Sequence, residues 1–410
     1  MSTPSSISYV LQKDFGVGPA FYDQFAFQNS GVPGGFAYYV DRPTALQSGL
    51  INGAVSPVGS AALAGGATYL FTDNQTVVPA TSTGRSAIRL ESVDRFAQGL
   101  YIFDVQHVPT GCGVWPALWF KKSTNATLIA EIDIMETINQ RDQNHYNIYT
   151  GPGCYSSPAD RRNQTSTITG VICDGNIPKQ PDVPLGCANN DEASGGIGAL
   201  FNQNGGGVYA LNLDLNQLAI YFFPRSNIPT DIAQSKPNPS TWGEPEVYFP
   251  FDCCSPDYFQ DMTFIIDTNL CGSWLSNAAD AACPMTTGGE PVCDAYVANT
   301  PSAFGEAYWA INSIKLYQPT ALTSFNPDTA VTCPTGAIVT AAPRTGVAMA
   351  TASPIAVSSA ASSSSPTTSP GSAPAPIAVK TSGARSAHHV GLASVLVLSS
   401  LVLSLLTTLI

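Results

Sequence analysis

Residues 130–137 place three carboxylates, Glu131, Asp133 and Glu136, inside an otherwise apolar run. Only 11% of the chain is charged. Crowding of like charges in such a run is costly, because the charges repel and because a partly buried carboxylate prefers to be protonated. In an extended strand Glu131 and Asp133 share one face, and the two isoleucines of the segment take the other. The segment therefore predicts a β-strand with an acidic face and an apolar face.

The position of Glu136 predicts an irregularity in this strand. Strict alternation would turn Glu136 toward the isoleucines and Met135 toward the acidic face. One extra residue near Ile134 or Met135, a β-bulge, returns Glu136 to the face of Glu131 and Asp133. In a regular strand the Cα atoms of the two glutamates would lie roughly 13–17 Å apart. We therefore expect the bend of a bulge to bring their side chains together.

Carboxylates of different pKa that face one cleft are typical of a glycosidase. Two carboxyl groups about 5–5.5 Å apart support a retaining mechanism, in which one attacks the anomeric carbon and the other protonates the leaving oxygen. Two alternatives remain open: an acidic edge strand that faces solvent, and a cation site. The isoleucine face weighs against the edge strand, and calcium ligands usually come from a loop with Asn, Asp and Gly. We expect neither a metal ion nor a cofactor.

The same segment resembles the Glu-x-Asp-x-x-Glu signature of glycoside hydrolase family 16, in its laminarinase-type, bulged form. Upstream, the sequence Gly-Val-Trp-Pro-Ala-Leu-Trp at residues 113–119 is similar to the Gly-x-Trp-Pro-Ala-x-Trp strand of that family. Other segments that match its fungal branch lie at residues 151–154, 241–245, 270–274 and 308–317. The likeness extends from about Tyr9 to Tyr317, nearly the whole part predicted to fold.

The resemblance implies an all-β fold, a β-jelly-roll sandwich of the concanavalin A-like kind with a catalytic cleft on its concave sheet. It implies Glu131 as nucleophile, Glu136 as general acid/base and Asp133 as their assistant, acting on β-1,3- or mixed β-1,3/1,4-glucan. The chain departs from the family at two positions. Tyr149 stands where a histidine is expected, and Ser273 stands where fungal relatives often carry aspartate. These departures bear on substrate preference and rate, since neither removes a catalytic carboxylate.

The pattern of short strands supports an all-β fold independently. The chain has 35 glycines and 32 prolines, which break it into short alternating runs. No long stretch before the C-terminal tail has the 3.6-residue period of a helix. We predict one domain over residues 9–333, after a stub of residues 1–8. Its predicted strands include residues 38–40, 86–90, 100–105, 218–223 and 264–266.

Tryptophans are candidates for sugar binding, because an aromatic ring can stack on the apolar C–H face of a sugar. Trp115 and Trp119 are four residues apart on a predicted strand, so both point to one face, which continues toward the carboxylates. Trp242 is a weaker candidate, as is Trp274, and Trp309 is expected in the core. Simple core packing is the alternative for the first two.

Ten cysteines lie between Cys112 and Cys333, and none forms a metal-binding Cys-x-x-Cys pair, so we expect disulfides formed in an oxidising compartment. The adjacent Cys253 and Cys254 favour bridges to two different partners.

A net charge of −12 argues against a nucleic-acid partner and suits an acidic wall environment. We expect a monomer. Three Asn-x-Thr sequons allow N-glycosylation, at Asn74, Asn125 and Asn163.

The composition changes after Cys333. Residues 334–384 are rich in Ser, Thr, Ala and Pro and predict an O-glycosylated stalk. Residues 385–410, a short polar spacer and an apolar stretch, resemble a glycosylphosphatidylinositol signal with attachment at Ser382 or Gly383. A membrane-spanning tail is the alternative. We expect an extracellular protein at the cell surface or cell wall, held on the membrane by its lipid anchor only.

The first eight residues have no basic start and no apolar core, so no secretory signal is visible. The cysteines, the sequons and the anchor signal all require entry to the secretory pathway. We therefore expect that the true N-terminus is missing from this chain.

Three functions are compatible with these patterns. The first is an endo-acting β-1,3(4)-glucanase, a retaining hydrolase of wall or external glucan. The second is a wall-remodelling transglycosylase, in which a second glucan chain attacks in place of water. The third is a glucan-binding surface protein without turnover, against which the intact set of Glu131, Asp133 and Glu136 is the strongest argument. We favour the first.

Overall fold

The computed structural model describes residues 7–51, 66–79, 81–124, 127–156, 164–177, 185–191, 193–321 and 324–339. The chain divides into two compact units, Met1–Ser353 and Pro354–Ile410, and all described residues belong to the first. The domain boundaries predicted above stay predictions. Four residues with predicted modifications lie outside the described residues: Asn125, Asn163, Ser382 and Gly383.

Strands predominate in the described chain, and its helices are short. In chain order the strands are β1 (Tyr9–Asp14), β2 (Phe25–Phe27), β3 (Ser30–Gly31), β4 (Ala37–Tyr39), β5 (Thr68–Phe71), β6 (Arg85–Ala87), β7 (Arg89–Ser92), β8 (Gly99–His107), β9 (Val114–Thr124), β10 (Thr127–Glu136), β11 (His145–Thr150), β12 (Thr167–Ile168), β13 (Cys187–Asn190), β14 (Gly207–Leu213), β15 (Gln217–Pro224), β16 (Val247–Pro250), β17 (Thr263–Leu270) and β18 (Tyr308–Pro319). The α-helices are α1 (Pro19–Tyr22), α2 (Arg42–Gln47), α3 (Gly198–Gln203), α4 (Thr230–Ala233), α5 (Ser273–Asn277) and α6 (Glu290–Asn299).

These strands form two large antiparallel sheets and a small one. The first has seven strands in the order β1-β18-β8-β14-β15-β16, with β5 paired to β18. The second has eight strands in the order β12-β13-β11-β10-β9-β17-β7-β2, and the small sheet consists of β3, β4 and β6. Each strand run predicted from the sequence overlaps a strand of the structure, so the all-β prediction is confirmed.

The two large sheets pack face to face through an aromatic core. Tyr101 of β8 packs against Phe120 of β9 with ring centroids 5.0 Å apart, and Phe103 packs against Phe264 of β17 at 5.6 Å. The isoleucines of residues 130–137 are fully buried in the same core. This burial fixes the register of β10, because a slip of one residue would move every side chain to the other face.

Trp309 of β18 is fully buried, as predicted. Its indole N–H donates to the backbone carbonyl of Asp267 on β17 over 3.1 Å. This hydrogen bond links the seven-stranded sheet to the eight-stranded sheet across the core.

All ten cysteines form disulfides, which confirms the prediction of an oxidised chain. The adjacent Cys253 and Cys254 bond to different partners, as predicted. The bridge from Cys253 to Cys333 holds the last described segment, residues 324–339, to the sandwich. The five bridges are Cys112–Cys283, Cys154–Cys254, Cys173–Cys187, Cys253–Cys333 and Cys271–Cys293.

Asn74 is the predicted glycosylation site that falls within the described residues. It is partly exposed, and its side-chain carbonyl accepts a hydrogen bond of 2.9 Å from Gln75.

Across the described chain, no group of three or more His, Cys, Asp or Glu side chains is arranged to hold a metal ion. None of the described helices is long and apolar enough to cross a membrane.

Candidate active site

The β-bulge predicted from the sequence is present in β10. Against β9, Asp133 pairs with Trp119 and Met135 pairs with Leu118, so Ile134 is the extra residue. Beyond the bulge Glu136 faces the same side of the sheet as Glu131 and Asp133. All three carboxylates line one cleft on the eight-stranded sheet, as the predicted bulge requires.

Aromatic and polar side chains complete this cleft. Trp115 and Trp119 both line it, which confirms the face predicted for them. The indole N–H of Trp115 donates to Oε1 of Glu136 over 2.9 Å. Other lining residues are Tyr39, Arg89, Asp267 and Asn269.

The charge of Glu131 is supported by two cations. Burial raises the pKa of its carboxyl above the usual value, whereas Lys121 and Arg89 lower it. Lys121 is the cross-strand partner of Glu131 on β9, so its position is set by the β9–β10 pairing. Among the three carboxyls, Glu131 has the most cationic support and is the one best suited to ionise and attack as a nucleophile.

The pKa of Glu131 is still raised, to about 7, and the other two carboxyls, which have less cationic support, are also held toward their protonated forms. Burial raises the pKa of Glu136, the hydrogen bond from Trp115 lowers it, and the charges of Glu131 and Asp267 raise it again. Asp133 is only 4% exposed, and burial together with the charges of Glu131 and Glu136 holds its pKa well above its usual range. A glutamic acid that keeps its proton near neutral pH can act as a general acid.

A buried ion pair lies beside Glu131 in the cleft. Nη1 of Arg89 donates to Oδ2 of Asp267 over 2.6 Å, and the hydroxyl of Tyr39 donates to the same oxygen over 3.2 Å. The guanidinium of Arg89 is 5.1 Å from the ring centroid of Trp119, and the ammonium of Lys121 is 5.7 Å from it. These contacts hold an aromatic ring and several hydrogen-bonding groups together, as binding of a sugar chain requires.

The two family departures lie close to this site. Tyr149 of β11 is the cross-strand partner of Glu131, and its hydroxyl accepts a hydrogen bond of 2.7 Å from the amide of Asn147. Burial and the three carboxylates raise the pKa of Tyr149, so its phenol stays neutral. Ser273 is exposed at the start of α5, next to Trp274.

Trp274 contacts Trp115 but is not among the side chains that line the cleft. Its ring packs edge-on against Trp115 with centroids 5.4 Å apart, and the ring of His145 lies 5.1 Å from Trp274 on another side. Trp115 itself binds Glu136. Trp274 and His145 are therefore linked to Glu136 through Trp115.

Trp242 lies elsewhere, and the prediction that it lines the cleft is wrong. Its ring packs edge-on against Tyr221 and Phe223 of β15, and its N–H donates to Oδ2 of Asp231 over 2.8 Å. Phe222, between those two residues, packs into the core between the sheets. Alternation along β15 thus places Trp242 on the outer face of the seven-stranded sheet, away from the carboxylates.

Sequence reasoning did not identify four polar or aromatic residues of the cleft, Tyr39, Arg89, Asp267 and Asn269. Tyr39 and Arg89 fall inside predicted strands, and Asp267 directly follows one. Their polar character on strands was a visible signal. Their convergence depends on the order of strands in the sheets, which no local pattern contains.

Comparison with known proteins agrees with the geometry of this site. A family model described as an XgeA-like catalytic GH16 domain matches residues 25–317. An endo-1,3(4)-β-glucanase of Arthroderma benhamiae is 34% identical over 76% of this chain and 65% of that protein. The chain spans about half the length of several other curated fungal relatives that it matches, for example 49% of a probable endo-1,3(4)-β-glucanase from Aspergillus clavatus.

Two solved structures are similar over 76% of this chain and the whole of theirs. Laminarinase 16A from Phanerochaete chrysosporium, with 6-O-glucosyl-laminaritriose in donor and acceptor sites, is 33% identical with a TM-score of 0.67. An elongating GH family 16 β-1,3-glucosyltransferase is 32% identical with a TM-score of 0.66. One of these relatives is a hydrolase by name and the other a transferase.

Proposed function

Because this chain belongs to glycoside hydrolase family 16, we propose that it cleaves β-1,3- or mixed β-1,3/1,4-glucan at internal bonds with retention of configuration. The observation that carries the proposal is the bulged strand β10, which presents Glu131, Asp133 and Glu136 to one cleft. The similar fungal endo-1,3(4)-β-glucanase and laminarinase support the substrate class.

The reaction proceeds in two displacements. The carboxylate of Glu131 attacks the anomeric carbon while Glu136 donates its proton to the glycosidic oxygen. The bond between the anomeric carbon and the glycosidic oxygen breaks, and the sugar is left covalently bound to Glu131. Glu136, now ionised, takes a proton from water, and that water displaces Glu131 from the anomeric carbon. Asp133, which its surroundings keep protonated, can donate a hydrogen bond to the carboxylate of Glu131 and hold it in position.

Product analysis with laminarin and barley mixed-linkage glucan tests this function, with wild type run beside Glu131→Gln. We expect wild type to release short oligosaccharides and the variant to lose activity by at least about 1,000-fold, since it lacks the nucleophile. Glu244→Gln is the matched control, because Glu244 is exposed and far along the chain from β10. Wild type that binds both polymers without cleaving either would refute the proposal and leave a glucan-binding protein.

Transglycosylation is the second candidate function. The similar elongating glucosyltransferase favours it, and Trp115, which lines the cleft and binds Glu136, offers an aromatic surface on which an acceptor sugar could stack. The catalytic residues would be the same. The same product analysis separates the two, because products longer than the starting chains indicate transfer.

For its location, we propose an extracellular protein at the cell surface or wall, with N-glycosylation and a glycosylphosphatidylinositol anchor. Five disulfides support an oxidising compartment, and the composition after Cys333 supports the stalk and anchor. Release from intact cells by phosphatidylinositol-specific phospholipase C would support the anchor. Retention on the membrane after that treatment would favour a spanning tail.

A further inference from the structure

The bulge in β10 ends the regular pairing of this strand with β11. The β10–β11 ladder runs from Ala130 to Asp133, which pairs with Asn147. The carbonyl of Ile134 and the N–H of Glu136 lie beyond its end. A buried backbone group without a partner costs free energy, so something other than β11 backbone must satisfy both.

The side-chain amide of Asn144 satisfies both groups. Its Oδ1 accepts from the N–H of Glu136 over 2.8 Å, and its Nδ2 donates to the carbonyl of Ile134 over 2.7 Å. A primary amide carries a donor and an acceptor side by side, as a peptide group does. Asn144 therefore takes the place of a strand residue at the point where the bulge interrupts the ladder.

Asn144 is itself fixed in place. It is 0% exposed, and its backbone N–H donates to Oδ2 of Asp191 over 3.2 Å. Its carbonyl accepts from the N–H of Asp191 over 3.0 Å. These two bonds hold the amide where it meets β10, so the bulge has one preferred geometry.

We propose that Asn144 is a positioning residue for the general acid: its amide maintains the bulge that points the carboxyl of Glu136 into the cleft. This inference rests on the proposed glycosidase function. Glu131 and Asp133 precede the bulge and are paired with both neighbouring strands, so their positions do not depend on Asn144. Loss of the amide should therefore impair proton donation to the leaving oxygen more than nucleophilic attack.

The test compares two substrates for wild type and Asn144→Asp. Laminarin needs a proton on its leaving oxygen, whereas 2,4-dinitrophenyl β-laminaribioside releases a weakly basic phenolate that needs none. An aspartate at position 144 cannot donate to Ile134 when ionised, but burial favours its protonated form, which keeps both bonds. Asn144→Leu, which has a similar shape and can neither donate nor accept, is therefore assayed beside it. For Asn144→Leu we expect kcat/KM to fall about 100-fold on laminarin and less than about 5-fold on the aryl glycoside, because general acid catalysis contributes a factor of about 10²–10⁴.

Asn202→Asp is the matched control. The amide of Asn202 also bridges one residue's backbone, accepting from the N–H of Val108 and donating to its carbonyl, both over 2.9 Å. Asn202 belongs to α3, and Val108 directly follows β8; neither lines the carboxylate cleft. We expect this variant to unfold at a lower denaturant concentration while the ratio of kcat/KM for the two substrates stays that of wild type.

The outcomes separate this inference from the function on which it rests. Equal losses of kcat/KM on both substrates for a folded Asn144→Leu would overturn the positioning role while leaving the glycosidase function intact. If Asn144→Leu does not fold, Asn144→Ser repeats the comparison, and failure of both to fold would show a folding role instead. Wild type inert toward both substrates would overturn the proposed function and this inference with it.

Discussion

The hydrogen bond between Trp115 and Glu136 sets the acidity of one carboxyl. The indole N–H stabilises the ionised form and so lowers the pKa of Glu136 against the opposite effect of burial. In Trp115→Phe this donor is absent, the pKa of Glu136 rises, and the acid form persists to higher pH. We expect the alkaline limb of the kcat/KM profile to move up by about one pH unit. A hydrogen bond to a charged group contributes about 1.5 kcal/mol, and one pKa unit corresponds to about 1.4 kcal/mol.

Trp119→Phe is the control for that pH profile. Trp119 lies on the same strand and the same face, but its N–H points to Oδ1 of Asp267 at 3.4 Å and not to Glu136. Its replacement should change substrate affinity without moving the alkaline limb. A limb that moves equally in both variants, or down in Trp115→Phe, would contradict the assignment of Glu136 as the acid that Trp115 tunes.

At the scale of elements, Arg85 of β6 connects α6 to the strands. Its side chain is fully buried, and its three nitrogens donate to backbone carbonyls at two places in the chain. Two of these carbonyls belong to the last turn of α6, where helix carbonyls have no partner within the helix. The acceptors are the carbonyls of Asp73, Thr76, Val297 and Ala298.

We expect Arg85→Lys to lower the free energy of unfolding by about 3 kcal/mol, because an ammonium cannot reach four carbonyls and leaves buried acceptors unpaired. Guanidinium-chloride unfolding measures this loss. Arg42→Lys is the control, since Arg42 is partly exposed and pairs with an exposed Asp23, so a change within about 0.5 kcal/mol is expected. Similar losses in the two variants would show that the carbonyls do not need the guanidinium.

The strand that carries the carboxylates was predictable, because its pattern is local. Alternation from Glu131 to Ile134 determines the faces, and the displaced Glu136 predicts the bulge near Ile134 or Met135. The role of Asn144 was not predictable. Nothing in the sequence around it distinguishes an amide that bonds to the backbone of a strand from an amide that faces water. Its role depends on where β11 begins and on a contact with Asp191, 47 residues away along the chain.

Trp242 shows the other limit of local reasoning. A tryptophan in a turn can cover either sheet, and the sequence does not say over which strand the turn folds. The structure places Trp242 over Tyr221 and Phe223 of β15, where its ring is partly buried. The family model covers the segment around Trp242, but the sheet that the ring packs on follows from the path of the chain after β15.

At the scale of the whole molecule, the burial of many carboxyls makes stability depend on pH. A carboxyl with a raised pKa in the folded state binds more protons there than in the unfolded chain, so its contribution to stability is lost as pH rises through the folded pKa. Burial raises the pKa of Asp191, for example, to about 7. The carboxyls with raised pKa are Glu131, Asp133, Glu136, Asp191, Asp214, Glu246, Asp267 and Asp294.

Fewer groups act in the opposite direction. Hydrogen bonds lower the pKa of Asp41 and Glu306, and burial lowers the pKa of His145, so these groups favour folding as pH rises. They are outnumbered by the carboxyls with raised pKa, three of which, Asp133, Asp191 and Asp267, are buried. The balance predicts greatest stability at acidic pH.

We therefore expect the free energy of unfolding, measured in urea, to fall steadily from about pH 4.5 to pH 7.5, by up to about 1.4 kcal/mol per pH unit for each proton retained by the folded state. Glu136→Gln removes one such proton, so it should reduce the slope and be more stable than wild type at pH 7.5. The exposed Glu244→Gln should follow wild type at every pH. Stability that rises over this range would mean that the cleft carboxyls are ionised in the folded protein, and Glu136 could not then supply the proton that the retaining mechanism needs.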